Sequence, residues 1–147
     1  MTLAKCIAEG MKFLRAGAYD QSLEIFRTRD PEEHWFLSYG TATALFKKHT
    51  SQDSMDLGNI EEVLGLYNIA INQEPNMADT YLMAGLAYMK KVSLQFAARH
   101  SRHQLLDSLH QAESNLMKAA ELDSHHEVEE DLKVIKKRRE ELEGAFN

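Results

Sequence analysis

The sequence predicts an all-α protein of about seven helices. Three observations carry this. Its 147 residues include only two prolines and seven glycines, while Ala, Leu, Glu, Lys and Met, all good helix formers, are plentiful. Apolar residues recur at helical spacing, as at Val63, Leu66, Tyr67 and Ala70. Turn and cap signals cut the chain into pieces of helix length. An apolar content of 44% is enough to bury a core, which argues against global disorder.

In chain order, residues 3 to 30 read as two helices around the turn Ala16-Gly17-Ala18-Tyr19-Asp20. Asp30-Pro31 ends the second. Asp30 as N-cap, Pro31 at the first helical position and Glu33 at the third predict a new helix from Pro31 to about Lys47. Lys48 to Leu57, KHTSQDSMDL, is polar and without period, and reads as a loop. Asn59, with Glu62 three residues on, is expected to cap the next helix. Pro75 cannot continue that helix, and Asn76, with Asp79 at the third position, is expected to cap the one that follows.

The inward face of this following helix carries Tyr81, Ala84, Gly85 and Tyr88. A glycine inside a helix costs about 1 kcal/mol relative to alanine, so a neighbouring backbone is expected to pass close to Gly85. Tyr88, Val92 and Phe96 continue the helix to a bend near His100–Arg102. Ser101 and Gln104 form a capping box for the next helix, whose stripe is Leu105, Leu109, Ala112, Leu116 and Ala119. That stripe argues against a disordered insert here. Ser124 and Glu127 predict the start of a last helix with the stripe Val128, Leu132, Ile135, Leu142 and Phe146.

Composition also excludes function classes. The net charge of −6 opposes general nucleic-acid binding, which needs a basic surface to displace counterions. Cys6 is the one cysteine, so no internal disulfide forms and a reducing, cytoplasmic setting is expected. Lys5, Glu9, Lys12 and Arg15 interrupt any signal-peptide core, and no run approaches the roughly 18 apolar residues of a membrane span.

No phosphate-loop, dinucleotide or nucleophile-elbow motif is present. His100, His103 and His110 share a helical side and His125-His126 follow, but zinc wants three or four convergent ligands at tighter spacing. Solvated surface histidines are the simpler reading, and neither metal nor cofactor is expected. Glu61-Glu62 and Glu129-Glu130-Asp131 are sequence neighbours that point apart on a helix, so they make no acid/base pair. The basic run Lys133, Lys136, Lys137, Arg138 and Arg139 is interleaved with Glu129, Glu130, Glu140, Glu141 and Glu143, as on a solvated helix.

The stretch Asn59 to Tyr88 organises the chain. Val63-x3-Tyr67, Ala70 and Pro75, followed by Tyr81-x2-Ala84-Gly85-x2-Tyr88, resemble the tetratricopeptide repeat, W-x2-L-G-x2-Y…A-x3-F…P, with Tyr for Trp and Ala for Leu. The theme recurs at Gly10 and Phe13 with Ser22-x3-Phe26, more loosely at Phe36, Tyr39, Gly40 and Thr43, and at Leu122-Asp123, where Ser124 replaces Pro. Cys6 to Phe26 spans 20 positions and Tyr67 to Tyr81 spans 14, both as the repeat requires. Phe36 to Tyr67 spans 31, an insertion of about 11 over the repeat value. Tyr81 to Leu116 spans 35, an excess of about 15.

The resemblance implies one domain, a right-handed superhelix of three helical hairpins closed by a C-terminal capping helix. Repeat 1 would cover about 3–30, repeat 2 about 31–75 with the inserted loop 48–57, repeat 3 about 76–123 with an extended hairpin, and the capping helix about 124–146. Cys6 falls on a repeat core position, as a small buried hydrophobe rather than a nucleophile.

First helices of such repeats line a concave groove that holds a peptide or partner helix. By resemblance the groove would take Ile7, Ala8, Met11, Leu14 and Arg15 from repeat 1, and His34, Leu37, Ser38, Thr41 and Leu45 from repeat 2. Repeat 3 would give Asp79, Leu82, Met83, Leu86, Met89 and Lys90. This lining is mostly apolar and rich in adaptable methionine. The family's chaperone-tail binders clamp a terminal carboxylate with Lys and Asn. Ala8, Ser38 and Met83 stand at corresponding positions here and do not supply that clamp. The expected function is therefore non-enzymatic binding of an apolar or amphipathic segment of another protein. The alternatives are a dedicated chaperone or adaptor for one client, and a homodimer or capping helix that covers the apolar wall.

Overall fold

The computed structural model describes residues 1–144, so the expectation for Phe146 lies outside the described residues. These residues form seven α-helices, a 3-10 turn and no strand. The chain divides into two compact units, Met1–Pro75 and Asn76–Asn147.

The first unit holds α1 (Leu3–Arg15), α2 (Tyr19–Phe26), α3 (Trp35–Ser51) and α4 (Leu57–Gln73). Thr2 caps α1 by accepting from the Lys5 amide at 3.2 Å. Gly17 turns the chain with φ +76°, a conformation suited to glycine. The single helix expected from Pro31 breaks in two. Asp30 accepts from the Glu32 amide and starts a 3-10 turn at Pro31–Glu33. His34 is then extended, and its Nδ1 accepts from the Phe36 amide at 3.1 Å to cap α3.

The loop expected at 48–57 is also corrected. Helix α3 continues to Ser51, a left-handed Asp53 (φ 52°) turns the chain, and α4 begins at Leu57. Lys48 is polar because it reaches Asp20 at 2.7 Å, not because it is in a loop. The α4 cap is Asp56, whose Oδ1 accepts from the Asn59 amide at 2.7 Å, so Asn59 receives the cap rather than providing it. The extra residues of this repeat therefore lengthen both helices to 17 residues, against 13 and 8 in α1 and α2.

Phe26 organises this unit's core. A β-carbon at Gly10 of α1 would lie 2.6 Å from Phe26 Cζ, and one at Gly40 of α3 would lie 2.7 Å from it. The ring thus fills the space that both glycines leave. Ser22, buried beside it, donates to the Gly10 carbonyl at 2.8 Å and pins α2 to α1. An aromatic layer adjoins the ring, with Trp35 and Phe36 at 5.4 Å, Phe36 and Tyr39 at 5.6 Å, and Tyr39 and the buried Tyr67 at 6.1 Å between centroids. The buried Tyr67 hydroxyl shares a 2.8 Å hydrogen bond with Thr43, and burial pushes its pKa above the ordinary value.

The second unit holds α5 (Ala78–Ala97), α6 (Arg102–Leu122) and α7 (Glu129–Gly144). Met77, not Asn76, occupies the α5 cap position, with no side-chain cap bond. The long hairpin has its turn where expected: Arg99 is left-handed at φ 59°, and Ser101 and Gln104 form a complete capping box. The close neighbour expected at Gly85 is chiefly a side chain. A β-carbon there would lie 2.7 Å from Leu116 Cδ2 and 3.3 Å from the Ala112 carbonyl oxygen.

Helix α7 starts at Glu129 rather than after Ser124. Asp123 Oδ1 instead accepts from the His125 amide, which holds 124–128 in a turned connector. Val128 and Ile135 still enter the unit's core, with Val92, Leu105, Leu109, Ala112 and Leu116.

Candidate partner-binding faces

The expected groove residues separate into three groups. Leu37 and Thr41 are corrected to core positions, 0% and 5% exposed. Leu37 joins Cys6, Phe26 and Phe36 in one cluster. The aromatic side chains of α3 crowd this helix, so its first half is buried on nearly all sides. Ser38 is buried too and donates to the Pro31 carbonyl at 2.9 Å.

On α1, Ile7 and Met11 lean on that cluster while remaining half-buried, as does Leu14; Ala8 and Arg15 are exposed. Helix α1 therefore carries an accessible apolar strip. Its 3.6-residue period places Leu14, Ile7 and Met11 side by side, with Ala4 and Ala8 next round the helix.

On α5, Leu82 and Met89 pack against the second unit's core, which includes Ile135 and, half-buried, Leu132 and Leu142 from α7. The closing helix and its connector thus use part of the expected groove face. Asp79 is engaged as well. His126 Nε2 lies 2.8 Å from Asp79 Oδ1, a close polar contact without aligned hydrogen-bond geometry. Arg139 of α7 reaches Glu113 of α6 at 2.6 Å and anchors the helix further along. Met83, Leu86 and Lys90 are half-buried on α5 and lie outside that core cluster.

A feature that the periodicity missed lies at the end of α5. Phe96, expected to continue the inward stripe, is 63% exposed. Beside it a cleft of about 220 Å³ is lined by Val92, Leu105 and Leu142, with Arg138 and Glu141 at its rim. The signal was obscured because Phe96 keeps helical spacing with Val92, one turn back; only its place at the helix end separates them. Cys6 is fully buried, its Sγ 3.3 Å from the Ile25 carbonyl. No group of three His, Cys, Asp or Glu among the described residues is placed to hold a metal ion. No described helix is long and apolar enough to cross a membrane.

No protein-family model matches this chain. No curated protein matches it in sequence either. Among solved structures it is similar to the first tetratricopeptide-repeat domain of Spaghetti (RPAP3), solved bound to the HSP90 peptide SRMEEVD. That likeness has a TM-score of 0.65 at 19% identity and covers 92% of this chain and 90% of that one. The hairpin pairs α1–α2, α3–α4 and α5–α6 with the closing α7 are consistent with that likeness. The chain has the tetratricopeptide-repeat fold.

Proposed function

We propose that this chain is a non-enzymatic protein-interaction module that holds an apolar or amphipathic segment of a partner protein. The observation that carries this is the accessible apolar strip Ile7, Met11 and Leu14 on α1. Met83 and Leu86 on α5 extend the same character to the second unit. Such patches on a folded chain are usually covered or functional. Methionine lets the surface adapt to irregular partners.

The structural neighbour was solved with a peptide containing two glutamates and ending in aspartate. By the repeat resemblance Ala8, Ser38 and Met83 stand where a carboxylate clamp would need Lys or Asn, and the Ser38 hydroxyl donates to the Pro31 carbonyl instead. A different ligand is therefore favoured here, one held mainly by apolar burial, as an amphipathic segment is.

The test is affinity capture from the native host with mass spectrometry, wild type against Met83→Glu with Leu86→Glu. These two are chosen because Leu82, the neighbour between Tyr81 and Met83, packs on the core. The double variant should keep its helical circular dichroism and lose the captured partner. Unchanged capture would remove the α5 face from the reading.

A further inference from the structure

The exposed arc of α1 carries a charge pattern that narrows the partner's chemistry. Ala4, Arg15, Ala8, Lys12 and Lys5 are all exposed and follow one another round the helix within about 100°. This arc adjoins the apolar strip of Leu14, Ile7 and Met11. None of the three cations makes an ion pair among the described residues; Lys12 alone has a partner, 6.0 Å from the Phe13 ring centroid. The single carboxylate on the helix, Glu9, is half-buried beyond Lys5 and pairs with none of them. By contrast Arg27, Arg29 and Lys48, elsewhere in this unit, each meet a carboxylate. Of the four Lys and Arg side chains in this unit without an ion pair among the described residues, three thus lie beside the apolar strip, and Lys47 on α3 is the fourth.

We infer that the segment bound by the first unit is an acidic amphipathic helix, seated along α1. Its apolar side would lie on Ile7, Met11 and Leu14, and its carboxylates would face Lys5, Lys12 and Arg15. This partner class rests on the interaction-module reading and sharpens it. Ala4 and Ala8, which end at Cβ, mark the boundary between the two strips and let a second helix approach to the usual 8–10 Å between axes. Lys5 to Lys12 covers about 10 Å of helix and Lys12 to Arg15 about 4.5 Å, so carboxylates one and two turns apart on the partner match them.

The chain's overall charge of −6 would attract a basic ligand from a distance. Charge beyond a Debye length of about 8 Å is largely screened at physiological salt, however, so the local ridge governs the docked state.

The test uses the full chain and two synthetic helical peptides of about 20 residues, a length that holds helix in water. One has leucines on one face and glutamates on the other; its twin has lysine for every glutamate. Fluorescence anisotropy should show the glutamate peptide binding roughly tenfold tighter, the sum of several modest exposed pairs. Lys12→Glu with Arg15→Glu should reverse the preference, and both residues are exposed enough to leave the fold intact, checked by circular dichroism.

Equal binding of the twins, preference for the lysine peptide, absence of binding by both, or a preference unmoved by the double reversal would each overturn the acidic-partner inference. The module reading is judged separately by capture of the native partner, so it stands if capture succeeds while the peptide preference fails.

Discussion

The two units meet the same packing demand with different side chains. In Met1–Pro75 one phenylalanine ring fills the space left by two glycines, Gly10 and Gly40. In Asn76–Asn147 one leucine, Leu116, fills the space left by Gly85. The units also differ in the fate of their leading helix. Helix α5 gives Leu82 and Met89 to a core shared with α7, whereas α1 keeps a half-buried apolar strip beside its exposed cations. The lesson is that the repeat pattern dictates how helices touch, while the elements around each helix decide which of its faces is left for a partner.

The largest expected effect tests the first difference. Phe26 is 1% exposed and Leu116 is 0% exposed. Phe26→Ala should cost about 3–5 kcal/mol and Leu116→Ala about 2–5 kcal/mol, because each leaves a cavity the backbone cannot close. Phe26→Ala should be the more damaging, since it empties the contacts of two helices with α2 at once. Urea unfolding followed by the fluorescence of Trp35, the one tryptophan, reports on the first unit, and circular dichroism on both. A smaller loss for Phe26→Ala would mean the ring is not the keystone of its unit.

A second experiment makes one substitution change sign between the units. Gly85→Ala puts a methyl 2.7 Å from Leu116, and a well-packed leucine cannot yield without strain. It should destabilise by about 1–3 kcal/mol. Gly65 in α4 is exposed, and a β-carbon added there would have nothing within 4 Å. Gly65→Ala should therefore stabilise by about 0.5–1 kcal/mol through helix propensity alone. Thermal melts of the two variants should move in opposite directions. A stabilising shift for Gly85→Ala as well would show that propensity, not packing, decides the Gly85 site.

Much of this was legible from residue spacing. The Ser101–Gln104 capping box and the core stripe Leu105, Leu109, Ala112 and Leu116 follow from short-range chemistry and appear as expected, and a close neighbour does meet Gly85, though it is chiefly the Leu116 side chain. What failed depends on competition between neighbours. Asp56 and Asn59 are both good caps, and nothing local says that Asp56 wins. Polar Lys48–Ser51 reads as loop because its helical partners, such as Asp20, lie far away in sequence. In the candidate faces, Leu37 and Thr41 stand at the right repeat positions, but the Trp35–Phe36–Tyr39 cluster buries that helix. Repeat spacing places a side chain on a face; it cannot say whether that face is already filled.

The smallest effect concerns the ion pairs that brace each unit. In the second unit Arg139 and Glu113 join two helices. In the first, Arg29 and Glu33 lie four residues apart, and the guanidinium also donates to the Met1 carbonyl at 2.8 Å. The hydrogen bond from Arg29 holds the Glu33 carboxyl below its usual range. A carboxyl depressed in the folded state contributes stability above its unfolded pKa and loses it as pH falls through the folded value. The bracing is therefore present at neutral pH and lost only in acid, below the ordinary carboxylate range. Both groups are solvated, so global stability should hardly move. The direct readout is a carboxyl carbon NMR titration of Glu33, whose midpoint should fall below about 4.3 in the wild type and return toward it in Arg29→Gln. A wild-type midpoint at the ordinary value would mean that the pair is not populated in solution, leaving the long-range Arg139–Glu113 contact as the stronger brace of the two.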